Sequence, residues 1–199
     1  MSNNYVIGIT GASGSVYGIR LIRELALKKH LVDVIITSAG KMVMKEELGV
    51  PGFEKMEKLG LSKISNRIRV WENDNFEAPF MSGSCAPEAV VLIPCSVGKL
   101  AAVANGISGN LLERTADVAL KERRPLILVV RETPLSLIHL ENMVKVARAG
   151  AQILPAMPAF YHHPRTIDDM VNFVVGKVLD LLRIEHNLFK GWRKENVAK

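Results

Sequence analysis

The chain has 199 residues, of which 48% are hydrophobic and 23% are charged, a composition typical of a globular domain with a buried core. Its 26 basic residues exceed the 20 acidic ones, for a formal charge of +6, but no run of lysine and arginine is interleaved with aromatic residues, which argues against nucleic acid as a partner. No apolar run reaches membrane-spanning length, and the first five residues lack the pattern of a secretory signal, so a cytoplasmic protein without membrane contact is expected.

The length predicts a single domain over residues 1–199, with a core at 5–185 and a basic tail at 186–199. At its start, a β-rich run at 5–10 leads into a glycine-rich turn and then an apolar-periodic segment to about residue 29. A second strand pattern at 31–37 precedes helical spacing over 38–48. This βαβα order predicts an α/β sandwich.

The rest of the chain continues the alternation of strands and helices. Further strand patterns occur at residues 68–71, 89–95, 126–130 and 152–155. Further helix patterns cover residues 110–122, 136–149 and 166–183. The runs at 89–95 and 126–130 are wholly apolar, as expected of parallel strands that are buried on both faces.

Charged residues cluster around the strand at 126–130. Arg131 and Glu132 follow it directly, and ligands of open α/β sheets bind beyond the carboxyl ends of the strands. On the preceding helix, Arg114 and Lys121 are two turns apart and therefore share a face. We expect these three cations and one carboxylate to converge near one strand end, with a solvated basic helix and a surface ion pair as the alternative.

The turn after the first strand contains glycines at a spacing that differs from the dinucleotide-binding pattern G-x-G-x-x-G. These glycines are Gly8, Gly11, Gly14 and Gly18. Glycine there lets backbone amides approach a phosphate at a helix amino terminus, although a packing turn without a ligand has the same pattern. The second strand ends in Thr37 rather than in an acidic residue, which favours a mononucleotide over NAD.

The histidines and cysteines do not indicate a metal site. His139, His162 and His163 have no spacing that supplies a ligand set with carboxylates. Cys85 and Cys95 form no CxxC pair, and each is expected to be a small buried residue. No metal is predicted.

Seven short motifs occur in order along the chain. They are TGASG at 10–14, PCS at 94–96, NLLER at 110–114, DVALKERR at 117–124, RE at 131–132 followed by Pro134, IHLENM at 138–143 and PAFY at 158–161. Together they resemble the UbiX-type flavin prenyltransferases, from about residue 5 to residue 192. Flavin-dependent cysteine decarboxylases share the fold, but their Pro-Ala-Ser-Ala-Asn-Thr signature does not occur in this sequence.

The resemblance implies an α/β fold of flavodoxin-like or Rossmann-like type, a three-layer sandwich with a parallel sheet. It also implies that the subunit assembles into a homododecamer with sites built where subunits meet. Members transfer a dimethylallyl group from dimethylallyl phosphate to N5 and C6 of reduced FMN, without a metal. The prenylated FMN is the cofactor of UbiD-type decarboxylases, which are therefore the expected recipients. Two alternatives stay open: a flavin-dependent decarboxylase of a cysteinyl substrate, and a non-catalytic FMN carrier.

The resemblance also assigns roles to individual residues. The implied FMN contacts are Gly11, Ala12, Ser13, Thr37, Ser96, Val97, Gly98, Lys99 and Arg114. The implied holders of the donor phosphate are Lys121, Arg131, Tyr161 and Lys177. The implied catalytic residues are Ser13, Glu47, Phe76 and Glu132.

These roles agree with the chemistry of allyl transfer. Breaking the allylic carbon–oxygen bond leaves negative charge on phosphate and positive charge on the allyl group, so cations should face the first and an aromatic ring the second. Glu132 can donate a proton to the departing phosphate or return it during ring closure, and Ser13 with Glu47 resembles the family's proton-handling pair near N5. Phe76 stands where the family usually has tryptophan, and Lys177 where it often has arginine.

Overall fold

A computed structural model describes residues 3–192, and this part of the chain contains one six-stranded sheet and six α-helices. The strands are β1 (Asn4–Ile9), β2 (Leu31–Ile36), β3 (Ile68–Glu72), β4 (Ala89–Cys95), β5 (Leu126–Val130) and β6 (Gln152–Ile153). The helices are α1 (Ser15–Leu27), α2 (Ser38–Leu48), α3 (Val97–Ala104), α4 (Leu111–Lys121), α5 (Leu137–Arg148) and α6 (Ile167–Leu181). Between β2 and β4 the chain also forms short 3₁₀ turns.

All strand pairs of the sheet are parallel, in the order β3-β2-β1-β4-β5-β6. The chain builds outward from β1 to β3 and then returns to the other side of β1 to add β4. The connections after β1 and β4 therefore leave the sheet in opposite directions, which opens a crevice beyond their carboxyl ends. The predicted α/β class with a parallel sheet is confirmed, with the strand order of a Rossmann fold.

Two helical layers cover the sheet. Inward-facing residues such as Val6, Leu92 and Leu128 share a buried cluster with α3, α4 and α5. On the other face, α1 contacts α2 and lies against β4. The approach is close, because a Cβ at Gly18 would lie 2.6 Å from the carbonyl oxygen of Ile93. Glycine is needed at this position for α1 to reach the sheet.

The chain divides into two compact units, with the boundary between Pro155 and Ala156. The first unit holds the whole sheet and α1 to α5. The second holds α6, whose amino end is closed by reciprocal hydrogen bonds between Thr166 and Asp169. A single domain over residues 1–199 stays a prediction, and residues 193–199 of the predicted basic tail lie outside the described residues.

The observed bounds agree with the sequence patterns where those patterns are strongest. The predicted elements at 38–48, 89–95 and 126–130 have the bounds of α2, β4 and β5. The last strand is shorter than predicted and consists of Gln152–Ile153 alone. This two-residue strand pairs only with β5 at the edge of the sheet, so fewer ladder hydrogen bonds extend it.

One carboxylate is buried inside the sheet. Asp33 in β2 is completely buried, and its oxygens accept hydrogen bonds from Arg69 Nε at 2.8 Å and Nη2 at 2.7 Å. Trp71 Nε1 donates a third at 2.6 Å, and the Trp71 ring meets Phe80 edge-on. Since Arg69 and Trp71 both belong to β3, this cluster ties the edge strand to the sheet.

The two cysteines have different environments. Cys95 is buried at the end of β4, and burial raises the pKa of its thiol to about 12, so the thiol is not a nucleophile near neutral pH. Cys85 is exposed. The expectation of a buried cysteine is confirmed for Cys95 and wrong for Cys85, which lies in a 3₁₀ turn rather than in the sheet.

Across residues 3–192, no helix is long and apolar enough to cross a bilayer. Over the same range, histidine, cysteine and acidic side chains form no group of three or more that could hold a metal ion. The cytoplasmic location stays a prediction.

Candidate active site at the carboxyl ends of β1 and β4

The crevice lies where the loops after β1 and β4 meet, and Thr10 joins these two loops. Its hydroxyl donates to the carbonyl oxygen of Pro94 at 2.7 Å and accepts from the amide of Ser96 at 2.8 Å. Its own amide also donates to Pro94, at 3.2 Å. Thr10 therefore sets the distance between the two loops, a role that the sequence alone did not indicate.

The turn after β1 carries Gly11, Ala12 and Ser13 along the crevice. A Cβ at Gly11 would lie 2.5 Å from the Cβ of Ala39 in α2, and Gly14 has a φ of 111°. Both glycines are thus required for the backbone path of the turn, whether or not a ligand binds. Ser13 is exposed at the tip of the turn.

Glu47, near the end of α2, binds the amino terminus of α1. Its carboxylate accepts from the amide of Gly14 at 2.9 and 3.1 Å and from the amide of Ser15 at 2.8 Å. The sequence predicted that these amides would approach a phosphate, but a carboxylate of the chain itself binds them. An anion at this helix end is favoured by the helix dipole.

The structure brings Ser13 and Glu47 together, as the resemblance implies. Burial alone would raise the pKa of Glu47, but hydrogen bonds from the Ser13 side chain and from the amides of Gly14 and Ser15 outweigh it, so the net pKa lies below its ordinary value. Glu47 is therefore a carboxylate at neutral pH. In this state it can accept a proton but not donate one.

Two further helices begin at the carboxyl edge of the sheet. Thr37 caps α2 by accepting from the amide of Gly40 at 3.0 Å, and Ser96 caps α3 by accepting from the amide of Lys99 at 3.4 Å. Val97 and Gly98 form the first turn of α3. A Cβ at Gly98 would meet no atom of the described residues within 4 Å beyond its chain neighbours and the backbone of its own helix, so this turn is open on that side. An open first turn is suited to an anionic ligand.

Lys99 forms an ion pair with Glu113, a residue that sequence reasoning missed. Glu113 is buried and also accepts from the amide of Gly109 at 2.9 Å. Burial opposes ionisation, but the hydrogen bond and charge of Lys99 and the contacts of Asn110 and Gly109 leave the pKa of Glu113 lowered. An acidic residue three positions after an asparagine cap is a signal that could have identified Glu113.

Arg131 and Glu132 lie at the carboxyl end of β5, as predicted. The amide of Arg131 donates to the carbonyl oxygen of Cys95 at 3.1 Å, which places Arg131 beside the end of β4. Glu132 is half-buried and accepts from the amide of Thr133 at 3.0 Å. This cation and this carboxylate are therefore at the same sheet edge as the glycine-rich turn.

Lys121 lies at the amino ends of the strands, on the side of the sheet opposite to Arg131. Within a single chain, the expected convergence of three cations near one strand end therefore does not include Lys121. Helix α4 runs back to the amino end of β5, and Lys121 is its last residue. There its ammonium pairs with Glu122 at 2.6 Å. Arg114, in the first turns of α4, pairs with Asp117 at 2.9 Å. Arg114 and Lys121 are seven residues apart in α4, which corresponds to about 10 Å along the helix axis. The two side chains therefore lie on one face of the helix but near its opposite ends.

Phe76 lies in the loop after β3 and is half exposed, at 50% of its surface. The loop is fixed to the start of α4, because Asn73 accepts from the amide of Leu111 at 2.8 Å and from the amide of Leu112 at 3.1 Å. Phe76 is thus at the carboxyl edge of the sheet. Its role stays a prediction.

The two remaining predicted residues belong to the second unit. The Tyr161 ring meets Trp192 edge-on at 5.2 Å and Phe173 at 5.9 Å between ring centres. Lys177 in α6 pairs with Asp180 at 3.0 Å. Their roles in phosphate binding also stay predictions.

Comparison with known proteins links this geometry to flavin chemistry. Residues 1–179 match the model of the flavoprotein family. The chain is 49% identical over 195 residues to the flavin prenyltransferase UbiX of Halalkalibacterium halodurans, an alignment that covers 96% of this chain and 94% of that protein.

Two solved structures are similar in fold and sequence. One is AnUbiX (PadA1) in complex with FMN and dimethylallyl pyrophosphate, with a TM-score of 0.87 and 36% identity, covering 97% of this chain and 98% of that one. The other is a dodecameric FMN-dependent UbiX-like decarboxylase from Escherichia coli O157:H7, with a TM-score of 0.83 and 36% identity, covering 96% and 99%.

Proposed function

The chain belongs to the flavoprotein family and, within it, to the UbiX-type flavin prenyltransferases, and from this premise we propose that the crevice beyond β1 and β4 holds reduced FMN for prenylation. The enzyme transfers a dimethylallyl group from a phosphorylated donor to FMN. The single observation that carries the assignment to this crevice is the carboxylate of Glu47 on the amides of Gly14 and Ser15, directly after Ser13, at the switch point of the sheet.

The residues around the crevice fit an FMN molecule. The first turn of α3 is open at Gly98, and Ser96 and Thr37 place hydroxyl groups at two helix starts. Lys99 and Arg114 add positive charge, and each forms an ion pair with one carboxylate. We propose that the FMN phosphate replaces these carboxylates as the anionic partner of Lys99 and Arg114.

Reduced FMN supplies the nucleophile N5 and the ring carbon C6. At the donor, the allylic carbon–oxygen bond breaks, phosphate departs and a carbon–nitrogen bond forms to N5. The ring closes when the double bond of the transferred group gains a proton and its tertiary carbon bonds to C6, which loses its hydrogen as a proton. Arg131 stabilises the charge on the phosphate, and Glu132 gives it a proton. Glu47, a carboxylate held by the amides of Gly14 and Ser15 beside Ser13, accepts the proton that leaves N5. Phe76 presents a ring face to the allyl cation.

Lys121 requires a second subunit in this scheme. Since Lys121 lies at the amino edge of its own sheet, we propose that it reaches the donor phosphate in the crevice of a neighbouring subunit. A homo-oligomer then becomes necessary for catalysis, in agreement with the dodecameric relative. The subunit count of twelve belongs to this proposal.

The function is tested by a single incubation. Purified protein, FMN reduced under anaerobic conditions and dimethylallyl phosphate are mixed, and the flavin is analysed by mass spectrometry. The expected product is a flavin heavier by one C5H8 unit. Unchanged flavin with both the monophosphate and the diphosphate donor would remove the proposal, and it would favour a carrier that binds FMN without catalysis.

Complementation between subunits tests the position of Lys121. Lys121→Ala and Arg131→Ala are each expected to lose most activity, because each removes a cation from every donor site. In an oligomer co-assembled from both variants in equal amounts, about a quarter of the sites combine an intact Lys121 with an intact Arg131, so prenylation should return to about a quarter of the wild-type rate. Absence of recovery in verified mixed oligomers would show that both residues serve a site within one chain.

Gly98→Ala tests the open turn of α3. Apart from the chain neighbours of Gly98 and the backbone of its own helix, no atom of the described residues lies within 4 Å of the added methyl group. Folding stability should therefore stay the same or rise by up to about 1 kcal/mol from the helix preference of alanine. FMN should bind roughly tenfold more weakly, because the methyl group enters the space for the ligand. Thermal unfolding without FMN and FMN titration separate the two effects, and unchanged FMN affinity would contradict the placement.

The recipient of the product and the cellular location are also proposals. We propose that a UbiD-type decarboxylase receives the prenylated FMN, since a modified flavin has no further use in the enzyme that makes it. Transfer can be measured as activation of an apo-decarboxylase by the reaction mixture. A cytoplasmic location is consistent with the described helices, among which none could cross a bilayer.

A further inference from the structure

Thr10 is the buried residue at which the turn after β1 and the loop after β4 are joined. It lies one residue beyond the end of β1, and its side chain is completely buried. Its amide and its hydroxyl both donate to the carbonyl oxygen of Pro94, and the hydroxyl accepts from the amide of Ser96 at 2.8 Å. The scheme above assigns Thr10 no role in the reaction.

These hydrogen bonds continue the pairing of the sheet after the chain has begun to turn. The ladder between β1 and β4 pairs residues up to Gly8 and Leu92. In a regular parallel ladder, a residue donates its amide to one residue of the neighbouring strand and accepts with its main-chain carbonyl from the amide two positions further along. Thr10 makes the first bond with its amide and the second, from Ser96, with its hydroxyl. Because the hydroxyl replaces the carbonyl, the backbone can leave the sheet at Gly11 and stay joined to β4.

The two segments that Thr10 joins carry most of the FMN contacts implied by the family resemblance. Residues 11–13 directly follow Thr10, and residues 96–98 directly follow β4. A ligand that contacts both segments binds most tightly when they already have the correct separation, because ordering them on binding costs free energy. The relative position of the two segments is therefore a determinant of FMN affinity.

We propose that Thr10 is a positioning residue that holds these two segments at the separation that FMN requires, before FMN binds. The proposal rests on the function assigned above and adds to it a residue that acts through its neighbours. The hydroxyl hydrogen is used by the carbonyl oxygen of Pro94, and the hydroxyl oxygen accepts from Ser96. A side chain without a hydroxyl can make neither bond.

Loss of the hydroxyl acts on the β4 side of the crevice. The carbonyl oxygen of Pro94 still accepts from the amide of Thr10 at 3.2 Å, whereas the amide of Ser96 loses the hydroxyl that binds it. Ser96 also caps α3, because its side chain accepts from the amide of Lys99 at 3.4 Å. A displaced Ser96 therefore moves the first turn of α3 away from the glycine-rich turn.

Thr10→Val and Thr10→Ser separate the hydroxyl from the methyl group. Valine keeps the branched shape without the hydroxyl, so the dissociation constant of FMN should rise roughly tenfold, which is about 1.4 kcal/mol. Serine loses only the methyl group and keeps both hydrogen bonds, so this constant should stay within about twofold of the wild type. A residue that acts only by packing would show the reverse order. FMN titration of the flavin-free, full-length chain measures the affinities.

Thr115→Val is the matched control for lost stability. Thr115 is also completely buried, and its hydroxyl also donates at 2.7 Å to a carbonyl oxygen, that of Leu111 within α4. Both valine variants should lower the melting temperature, but only Thr10→Val should weaken FMN binding. Equal weakening in the two variants, or wild-type FMN affinity in Thr10→Val, would overturn the proposal.

Amide hydrogen exchange of the wild type tests the same proposal without a substitution, and it decides the matter if Thr10→Val does not fold. The amide of Ser96 should exchange at least about a hundredfold more slowly than in an unstructured chain, both without and with FMN. Protection of this amide only when FMN is bound would show that the ligand, and not Thr10, brings the two segments together.

The outcome is distinct from that of the proposed function, which is read from the flavin product of the wild type. If the wild type forms no prenylated flavin but Thr10→Val weakens FMN binding, the positioning role stands and the catalytic assignment falls. If the wild type forms the product and Thr10→Val binds FMN normally, the catalytic assignment stands and the positioning role falls.

Discussion

Glu132→Gln is expected to lower kcat about a hundredfold, because positioned proton transfer by a side chain contributes roughly 10²- to 10⁴-fold to a rate. Glutamine has nearly the same shape as glutamate and keeps the oxygen that accepts from the amide of Thr133. FMN affinity should therefore change less than about twofold, since no FMN contact is assigned to Glu132. Single-turnover formation of prenylated flavin and FMN titration measure the two quantities.

A matched control for this substitution is Glu88→Gln. Glu88 is exposed and directly precedes β4, at the amino edge of the sheet. It should leave both kcat and FMN binding unchanged. If Glu132→Gln instead releases FMN while the remaining bound fraction reacts at the normal rate, Glu132 has a structural role and the proton donor to the phosphate must be another group.

Arg69→Met should lower the free energy of unfolding by about 2 to 3 kcal/mol. Breaking a buried ion pair typically costs about 3 to 5 kcal/mol, and the lower figure allows for the Arg69 side chain, which is 48% exposed. Asp33 is completely buried, so without Arg69 its charge keeps only the hydrogen bond from Trp71 among its three side-chain donors. Urea unfolding of the FMN-free protein measures the change.

The double variant Asp33→Asn, Arg69→Met identifies the cause. Arg69→Met alone leaves the buried carboxylate of Asp33 without its cation, and this unpaired charge lowers the free energy of unfolding. Replacing Asp33 with asparagine removes the charge and should recover part of the lost stability. Lys63→Met is the control, since Lys63 is exposed on the 3₁₀ turn that precedes β3. A loss below about 0.5 kcal/mol for Arg69→Met, comparable to an ordinary surface substitution, would mean that the cluster does not hold the edge strand.

The elements of the sheet were predictable because each depends on neighbours in the sequence. The apolar runs of β4 and β5 indicate burial on both faces, and the bounds of α2 follow from its helical spacing and from Thr37 and Gly49 at its two ends. The predicted fold class follows from the order of these patterns. The last strand was overestimated, since Gln152–Ile153 has only one partner strand and sequence patterns do not count partners.

The candidate site was predictable in part. The position of Arg131 and Glu132 at a carboxyl strand end follows from the chain alone. The pairing of Ser13 with Glu47 came from the family resemblance, and the structure supplies its physical basis in the hydrogen bonds at the start of α1. Glu113 was missed, although its distance from Asn110 is a recognisable capping pattern.

By itself, the sequence determined which segments are strands and helices, their parallel arrangement and the strand ends that carry charge, because these depend on periodicity and local order. Only the tertiary structure decided that Lys121 and Arg131 lie at opposite sheet edges and that the carboxylate of Glu47 accepts from the first amides of α1. These positions relate residues that are distant in the chain. They depend on the direction in which each helix runs back across the sheet, which local sequence patterns do not specify.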